Sequence, residues 1–214
     1  MKMELPKFPG QLRKNDALFI YGATQELPFV FIYEQETIEI VHGPSCRNIH
    51  DEIFVDKCEE GGVPITERRG GGGTVVLSPG VLVIIVVGEK RGRENPVDIF
   101  RRVHDALIPA LYEAGVTNAV HEGISDIAVN GKKVLGSSLY MGSNMPFYYY
   151  QSSLMVSNNL EFLSRYLRHP PREPDYRKGR DHAQFCTTLC ESGLRVSISE
   201  LSVLIESSLK KHPL

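Results

Sequence analysis

The chain has 214 residues, 42% hydrophobic and 23% charged, which suits one globular domain with at most a small appendage and excludes a disordered or fibrous chain. Lys+Arg is 24 against Asp+Glu 26, a formal net charge of -2 without the basic excess of a dedicated nucleic-acid binder. The apolar run 81–87 is too short to cross a bilayer, the N-terminal segment has no signal-peptide core, and four cysteines are too few for a secreted disulfide scaffold, so the expected compartment is the cytoplasm, with no membrane partner.

Residues 1–14 are rich in proline and lysine and read as an extended arm. Asn15 or Asp16 is placed to cap a short helix to about Gln25. Segments 27–34 and 37–43 read as strands joined by a turn around Gln35, with Ile38 and Ile40 on one face of the second. Ser45 is placed to cap a helix over 46–60, where Ile49, Ile53 and Phe54 fall at helical spacing and Gly61-Gly62 stops it. Segment 63–69 reads as a strand running into four glycines, and 74–89 as two buried strands around Ser78-Pro79-Gly80. Pro96 opens a helix with the stripe Phe100, Val103, Leu107 and Leu111, kinked near its end by Pro109. Segment 126–140 reads as a hairpin turning at Asn130-Gly131, and 145–157 as a strand whose Tyr149 faces opposite Tyr148 and Tyr150. A short helix from Asn158 or Asn159 to Leu167, a proline-stiffened loop over 169–180 and two helices over 181–192 and 197–210 complete the chain. This mixed order predicts an α+β protein, with a mixed, mainly antiparallel sheet packed with helices.

Two segments hold residues suited to chemistry. The first runs from Glu67 through Arg68, Arg69 and four glycines to Thr74. Such a run lets the backbone approach a ligand and turn successive N–H groups toward an anion, with guanidinium forks beside it. A flexible turn flanked by two solvated arginines accounts for it equally well, and no Gly-Lys-Ser/Thr follows as a Walker loop requires. The second segment is the hairpin. Alternation puts Lys133 and Leu135 on the face opposite Lys132 and Val134, so one lysine points inward, where it needs an anion. A plain Asn-Gly hairpin with two surface lysines is the simpler alternative.

Weaker signals remain. His182, Cys186 and Cys190 are four apart on a predicted helix, a spacing that fits a buried face better than a tetrahedral metal site. His42, Cys46 and His50 suggest a nucleophile or plain strand-end packing. Arg165, Arg168, Arg172, Arg177, Lys178 and Arg180 form a basic segment, either solvated or suited to an acidic protein partner.

Together, Arg68 through Val76 and Ser125 through Ser138 resemble the lipoate–protein ligase A family, within the wider biotin/lipoate ligase and octanoyltransferase group. That family's pattern is Arg-x-x-Gly-Gly-Gly-Ala-Val on one segment. On the other it is Asn-Asp-Ile, a short turn, then Gly-x-Lys-Val-x-Gly-Ser-Ala. The resemblance runs from about residue 15 to about residue 190 and implies a class II biotin/lipoate ligase-like catalytic domain over 15–214. It also implies ATP-dependent activation of lipoate to lipoyl-adenylate, then transfer to a lysine of a lipoyl-domain protein, of the glycine cleavage H protein or 2-oxoacid dehydrogenase E2 type. By the resemblance, Arg68 is the motif arginine, Gly71, Gly72 and Gly73 are the triple glycine, and Thr74, Val75 and Val76 continue the substrate wall. Lys133 contacts the acyl carbonyl and phosphate oxygens, Asp126 is a magnesium or phosphate-side contact, and Gly136, Ser137 and Ser138 are the small residues after the lysine.

The departures are specific. Val76, Leu77 and Ser78 stand where the family often has Tyr-His-Asp, Ser125 stands for Asn, Glu67 for an arginine, and Tyr150-Gln151-Ser152-Ser153 for a His-Gly segment. At Thr117-Asn118 and His169-Pro170-Pro171, where related octanoyltransferases hold a nucleophilic cysteine, there is none, so a thioester relay is not expected. Full-size ligases carry a C-terminal accessory domain that the 197–210 helix leaves no room for, so a small partner subunit is expected. The alternatives are a lipoyl or octanoyl transferase without its own adenylation step and a non-catalytic binding subunit.

Overall fold

The computed structural model describes Phe19, residues 21–143 and residues 145–214. The expected arm over 1–14 and the cap at Asn15 or Asp16 lie outside the described residues.

Six strands form the main sheet. They are β1 (Phe29–Glu34), β5 (Val81–Glu89), β9 (Phe147–Met155), β8 (Lys132–Tyr140), β7 (Asp126–Val129) and β6 (Ala119–Glu122), in that spatial order and antiparallel throughout. A second sheet, β3 (Ile65–Glu67), β2 (Glu39–His42) and β4 (Val75–Leu77), pairs β2 parallel to β3 and antiparallel to β4. The α+β expectation holds.

The central strand β5 is buried on both faces, as its unbroken apolar run requires. Leu82, Ile84 and Val86 meet α2 (Pro96–Glu113) and α5 (Ile198–Lys211), together with Tyr148 and Tyr150. Val81, Val83, Ile85 and Val87 join Phe19 and Tyr149 on the opposite face. A third cluster joins Ile40 and Val76 to α1 (Val55–Glu60) and α3 (Glu161–Tyr166) through Cys58, Leu163 and Tyr166. Asn95 and Asp98 form a capping box on α2, and Ser197 and Glu200 form one on α5.

The strands β1 and β2 form as expected around a turn at Gln35, which donates its backbone N–H to Val81 O and its side-chain amide to Thr37 O, and they enter different sheets. Two expected helices are corrected. The helix over 46–60 is a short 3-10 turn, Ile49–Asp51, capped by Asn48 rather than Ser45, followed by α1. Between them Ile53 is fully buried in a bridge to Leu167, which needs extended backbone. The helix over 181–192 ends as α4 (His182–Phe185), because Thr187 N–H bonds Lys133 O and Leu189 N–H bonds Met155 O. The proposed His182–Cys186–Cys190 stripe therefore does not exist. Strand β6 was not foreseen; α2 carries Pro109 inside its last turns and ends at Glu113.

Candidate active site

The hairpin β7–β8 turns as expected, with Asn130 at φ 51° and Gly131 at φ 74°. Its register then shifts between Ile127 and Ala128: Ala128 faces Lys133, Ile127 faces Leu135 and Asp126 faces Gly136. Val134 is the extra residue, and simple alternation fails, since Val134 and Leu135 both join the core. The bulge puts Lys133 and Gly136, three apart in sequence, on the face shared with Asp126.

Lys133 Nζ lies 2.8 Å from Asp126 Oδ1, and Tyr176 O–H donates to Asp126 Oδ2 at 2.8 Å. The lysine side chain is 24% exposed and the Asp126 side chain 8%. Burial first, then the Asp126 charge, pushes the Tyr176 hydroxyl far above its ordinary value, so it remains a donor. A Cβ on Gly136 would stand 2.6 Å from Lys133 Nζ, so the ammonium lies where only glycine leaves room.

The glycine loop follows β3. Arg68 is buried and turned toward its own loop rather than toward open solvent. Its Nη1 donates to Val41 O at 3.2 Å, and its Nη2 to Gly71 O at 3.1 Å and Gly73 O at 2.7 Å. Burial lowers its pKa to about 10, which leaves it charged at neutral pH. Gly71 N–H reaches Leu139 O, and Thr74 donates both its N–H and its hydroxyl to Glu52 Oε2, at 3.2 and 2.6 Å. Gly70 brings the loop onto β8, where a Cβ would meet Ser138 Oγ at 2.9 Å, and Gly72 has φ 109°. Arg68 is thus a brace for the loop, and two N–H groups that an anion nest would use are already bonded.

Between loop and hairpin lies a cavity of ≈ 660 Å³, in the size range of small-ligand sites. Every residue expected at the site lines it except Gly71: Arg68, Gly72, Gly73, Thr74, Val75, Val76, Asp126, Lys133, Gly136, Ser137 and Ser138. Val83, Met155, Leu163, Leu167 and Phe185 add an apolar stretch. Lys133, Asp126, Ser137 and Ser152 add a polar one.

Sequence reasoning missed Glu52 and Tyr176 and read Cys186 only as a weak metal candidate; all three line the cavity. The first two have no local signal, since their partners lie 22 and 50 residues away. Cys186 was assigned to a helix, but its backbone bridges Lys133 in parallel and its thiol is pushed up by burial. Cys46 is likewise pushed up to about 11, by burial and then by Glu52.

Among the described residues no group of three His, Cys, Asp or Glu side chains is placed to hold a metal ion. Asp126 is the counter-ion of Lys133 and accepts from Tyr176, and its carboxylate lines the cavity. The basic segment is also less solvated than expected. Arg177 is buried against Glu173, and Arg180 donates to Gly131 O and Tyr176 O, while Arg165, Arg168, Arg172 and Lys178 stay exposed.

Lipoate–protein ligase 2 of Staphylococcus aureus (strain Mu50 / ATCC 700699) is 27% identical over 133 residues, which is 62% of this chain and 38% of that protein. The chain thus spans about two fifths of the length of the curated relatives it matches. Among solved structures, a bipartite lipoate protein ligase described with its E2 lipoyl domain, from Thermoplasma acidophilum, superposes with a TM-score of 0.75 at 20% identity, over 90% of this chain and 74% of that one. A lipoate–protein ligase A bound with ATP superposes with a TM-score of 0.73 at 19% identity, over 92% and 77%. At such identities these two likenesses show the fold. The family model for the lipoyl protein ligase A/B catalytic domain matches residues 17–209, and the chain belongs to that family.

Proposed function

We propose that this chain is the catalytic part of a lipoate–protein ligase. It takes a lipoyl-type acid, joins its carboxylate to the adenylyl group of ATP with release of pyrophosphate, and passes the acyl group to the lysine amine of a lipoyl-domain protein. The observation that carries this reading is the Lys133–Asp126 pair, seated opposite a braced glycine loop in a cavity with an apolar stretch.

Both steps develop negative charge on oxygen, and a fixed ammonium in a partly closed site stabilises such charge far better than a mobile one in water. Asp126 and Tyr176 fix where that ammonium sits. The apolar stretch suits a medium acyl chain, whose burial is worth about 0.8 kcal/mol per methylene. Arg68 binds no substrate oxygen in this reading and holds the loop that encloses one. Magnesium would neutralise triphosphate charge, and Asp126, on the cavity wall, is the carboxylate placed to hold it.

The division of labour follows the bipartite relative. A separate small subunit would support adenylation, and the acceptor would be a lipoyl domain of the H-protein or E2 type. No helix among the described residues is long and apolar enough to cross a membrane, and the proposed site of action is the cytoplasm.

The test is the mass of an apo lipoyl domain after incubation with the chain. A gain of one lipoyl group is expected both from lipoate with ATP and the small subunit and from supplied lipoyl-adenylate, whereas a gain from lipoyl-adenylate alone would leave a transferase without its own adenylation step. No gain from lipoyl-adenylate, or from lipoate with ATP and the small subunit, would remove the ligase reading.

One observation favours a second reading. Cys186 lies on the cavity wall beside the Lys133 strand, which reopens a transferase that holds the acyl group as a thioester. Intact-mass analysis of the chain after incubation with an acyl donor would show that adduct. Full transfer by Cys186→Ala would dismiss it.

A further inference from the structure

Behind the cavity runs a buried polar chain that the chemistry above does not use. His104 sits on the core face of α2 and is wholly buried. Its ring lies between Phe100, at 6.3 Å between centroids, and Tyr150, at 6.1 Å and nearly perpendicular. Its Nδ1 meets Nδ1 of His121 in β6 at 2.7 Å, and its Nε2 meets Ser137 Oγ in β8 at 3.1 Å. Ser137 Oγ donates to Ser125 O at 2.5 Å, and Ser137 N–H donates to the same carbonyl at 2.9 Å.

Geometry places the protons. A hydroxyl has one proton, and the short contact with a carbonyl requires it there. Ser137 Oγ is then an acceptor toward His104, so His104 carries its proton on Nε2. Its Nδ1 is a lone pair, and His121 donates to it from Nδ1–H. This leaves His121 Nε2 unprotonated, and that atom is buried without a hydrogen-bond partner among the described residues. The reverse direction would strand an N–H donor at that atom and draw the Ser137 proton away from Ser125.

The chain ends where the site begins. Ser125 immediately precedes Asp126 and Ser137 immediately follows Gly136. These are the two residues that face each other across the hairpin beneath Lys133. One imidazole on α2 therefore ties both strands at that level.

We propose that His104 is a positioning residue for acyl transfer. Its Nε2–H fixes the Ser137 hydroxyl and the Ser125 carbonyl, and through them the Asp126–Gly136 pair on which Lys133 lies. This rests on the proposed function. Its consequences are tested with His104→Leu, His104→Gln, Ser137→Ala and the His104→Leu/Ser137→Ala double variant. The His104→Leu/His121→Leu variant serves where an unpaired His121 prevents folding. Leucine should lower kcat for transfer from supplied lipoyl-adenylate by about tenfold or more, with KM for the adenylate changed less than about threefold. Glutamine, which keeps an N–H near Nε2, should restore kcat to within about threefold of the parent chain. In the Ser137→Ala background the leucine substitution should add less than about twofold.

Nitrogen-15 spectra of the parent chain should show His104 as the Nε2–H tautomer. Folded His104→Leu with parental kcat, equal losses for Leu and Gln, or a protonated Nδ1 at His104 would each overturn the assignment. Should the parent chain transfer no acyl group, the proposed function fails instead. The tautomer, and the Ser125 and Asp126 amide shifts in the Leu and Gln variants, then decide the positioning claim by themselves.

Discussion

Gly136 decides where Lys133 can be. A methyl group there would meet the flexible end of the lysine, not backbone, so Gly136→Ala should cost less than about 1 kcal/mol of stability while displacing the ammonium. Transfer should fall about tenfold or more, read as kcat beside an unchanged thermal melt. Lys133→Ala should abolish transfer in a folded protein, and retained turnover would reject Lys133 as the central group. His104 gives a pH prediction. Burial, then His121, holds its folded pKa at about 3, while the unfolded residue protonates near 6.5. Between those values only the unfolded chain takes up the proton, so stability should fall as pH drops below about 6.5, by up to about 1.4 kcal/mol per pH unit. Denaturant melts at pH 7 and pH 5 check the slope, and His104→Gln should flatten it. Lys133, Asp126 and the glycines were legible because their types and spacing form a local pattern. His104 left a trace as a polar residue four positions from Phe100, inside the apolar stripe of α2. Tyr176 and Glu52 left none, because only folding sets their neighbours.

Elements with local punctuation were read correctly from sequence. Asn130-Gly131 adopts the two positive φ angles its residue types favour, and α2 starts at Pro96 behind a capping Asn95. Elements defined by distant partners were misread. Residues 46–54 and 186–190 carry helical spacing, yet their backbone groups bond Tyr166, Arg168, Lys133 and Met155. Strand β6 is short and half polar, and it exists because β7 lies beside it. The bulge at Val134 was invisible too, since nothing in the local sequence breaks the alternation. Gly80 tests the turn between β4 and β5. Its φ is 86°, and a Cβ would stand 2.6 Å from Asn158 N, which is backbone and cannot rotate aside. Gly80→Ala should cost about 1–3 kcal/mol, seen as a lower denaturant midpoint.

At the scale of the molecule, the exposed Arg168 and Arg172 line the cavity, with exposed Arg165 and Lys178 flanking them in sequence. Docking of an acidic lipoyl domain there should weaken with salt. Raising ionic strength, or Arg172→Glu, should raise KM for the acceptor and leave KM for the acid unchanged. A salt-independent acceptor KM would place docking elsewhere. The braced loop grows from the three-stranded sheet, whereas the lysine hairpin belongs to the six-stranded one, and Gly71 N–H to Leu139 O stitches them near the cavity. The acid and its activated form would therefore lie across a seam between two separately hydrogen-bonded sheets. Occupancy would act as a clasp. Amide exchange in β2–β4 should slow when ligand fills the gap, while β5 and β9, already sealed inside the larger sheet, keep their rates.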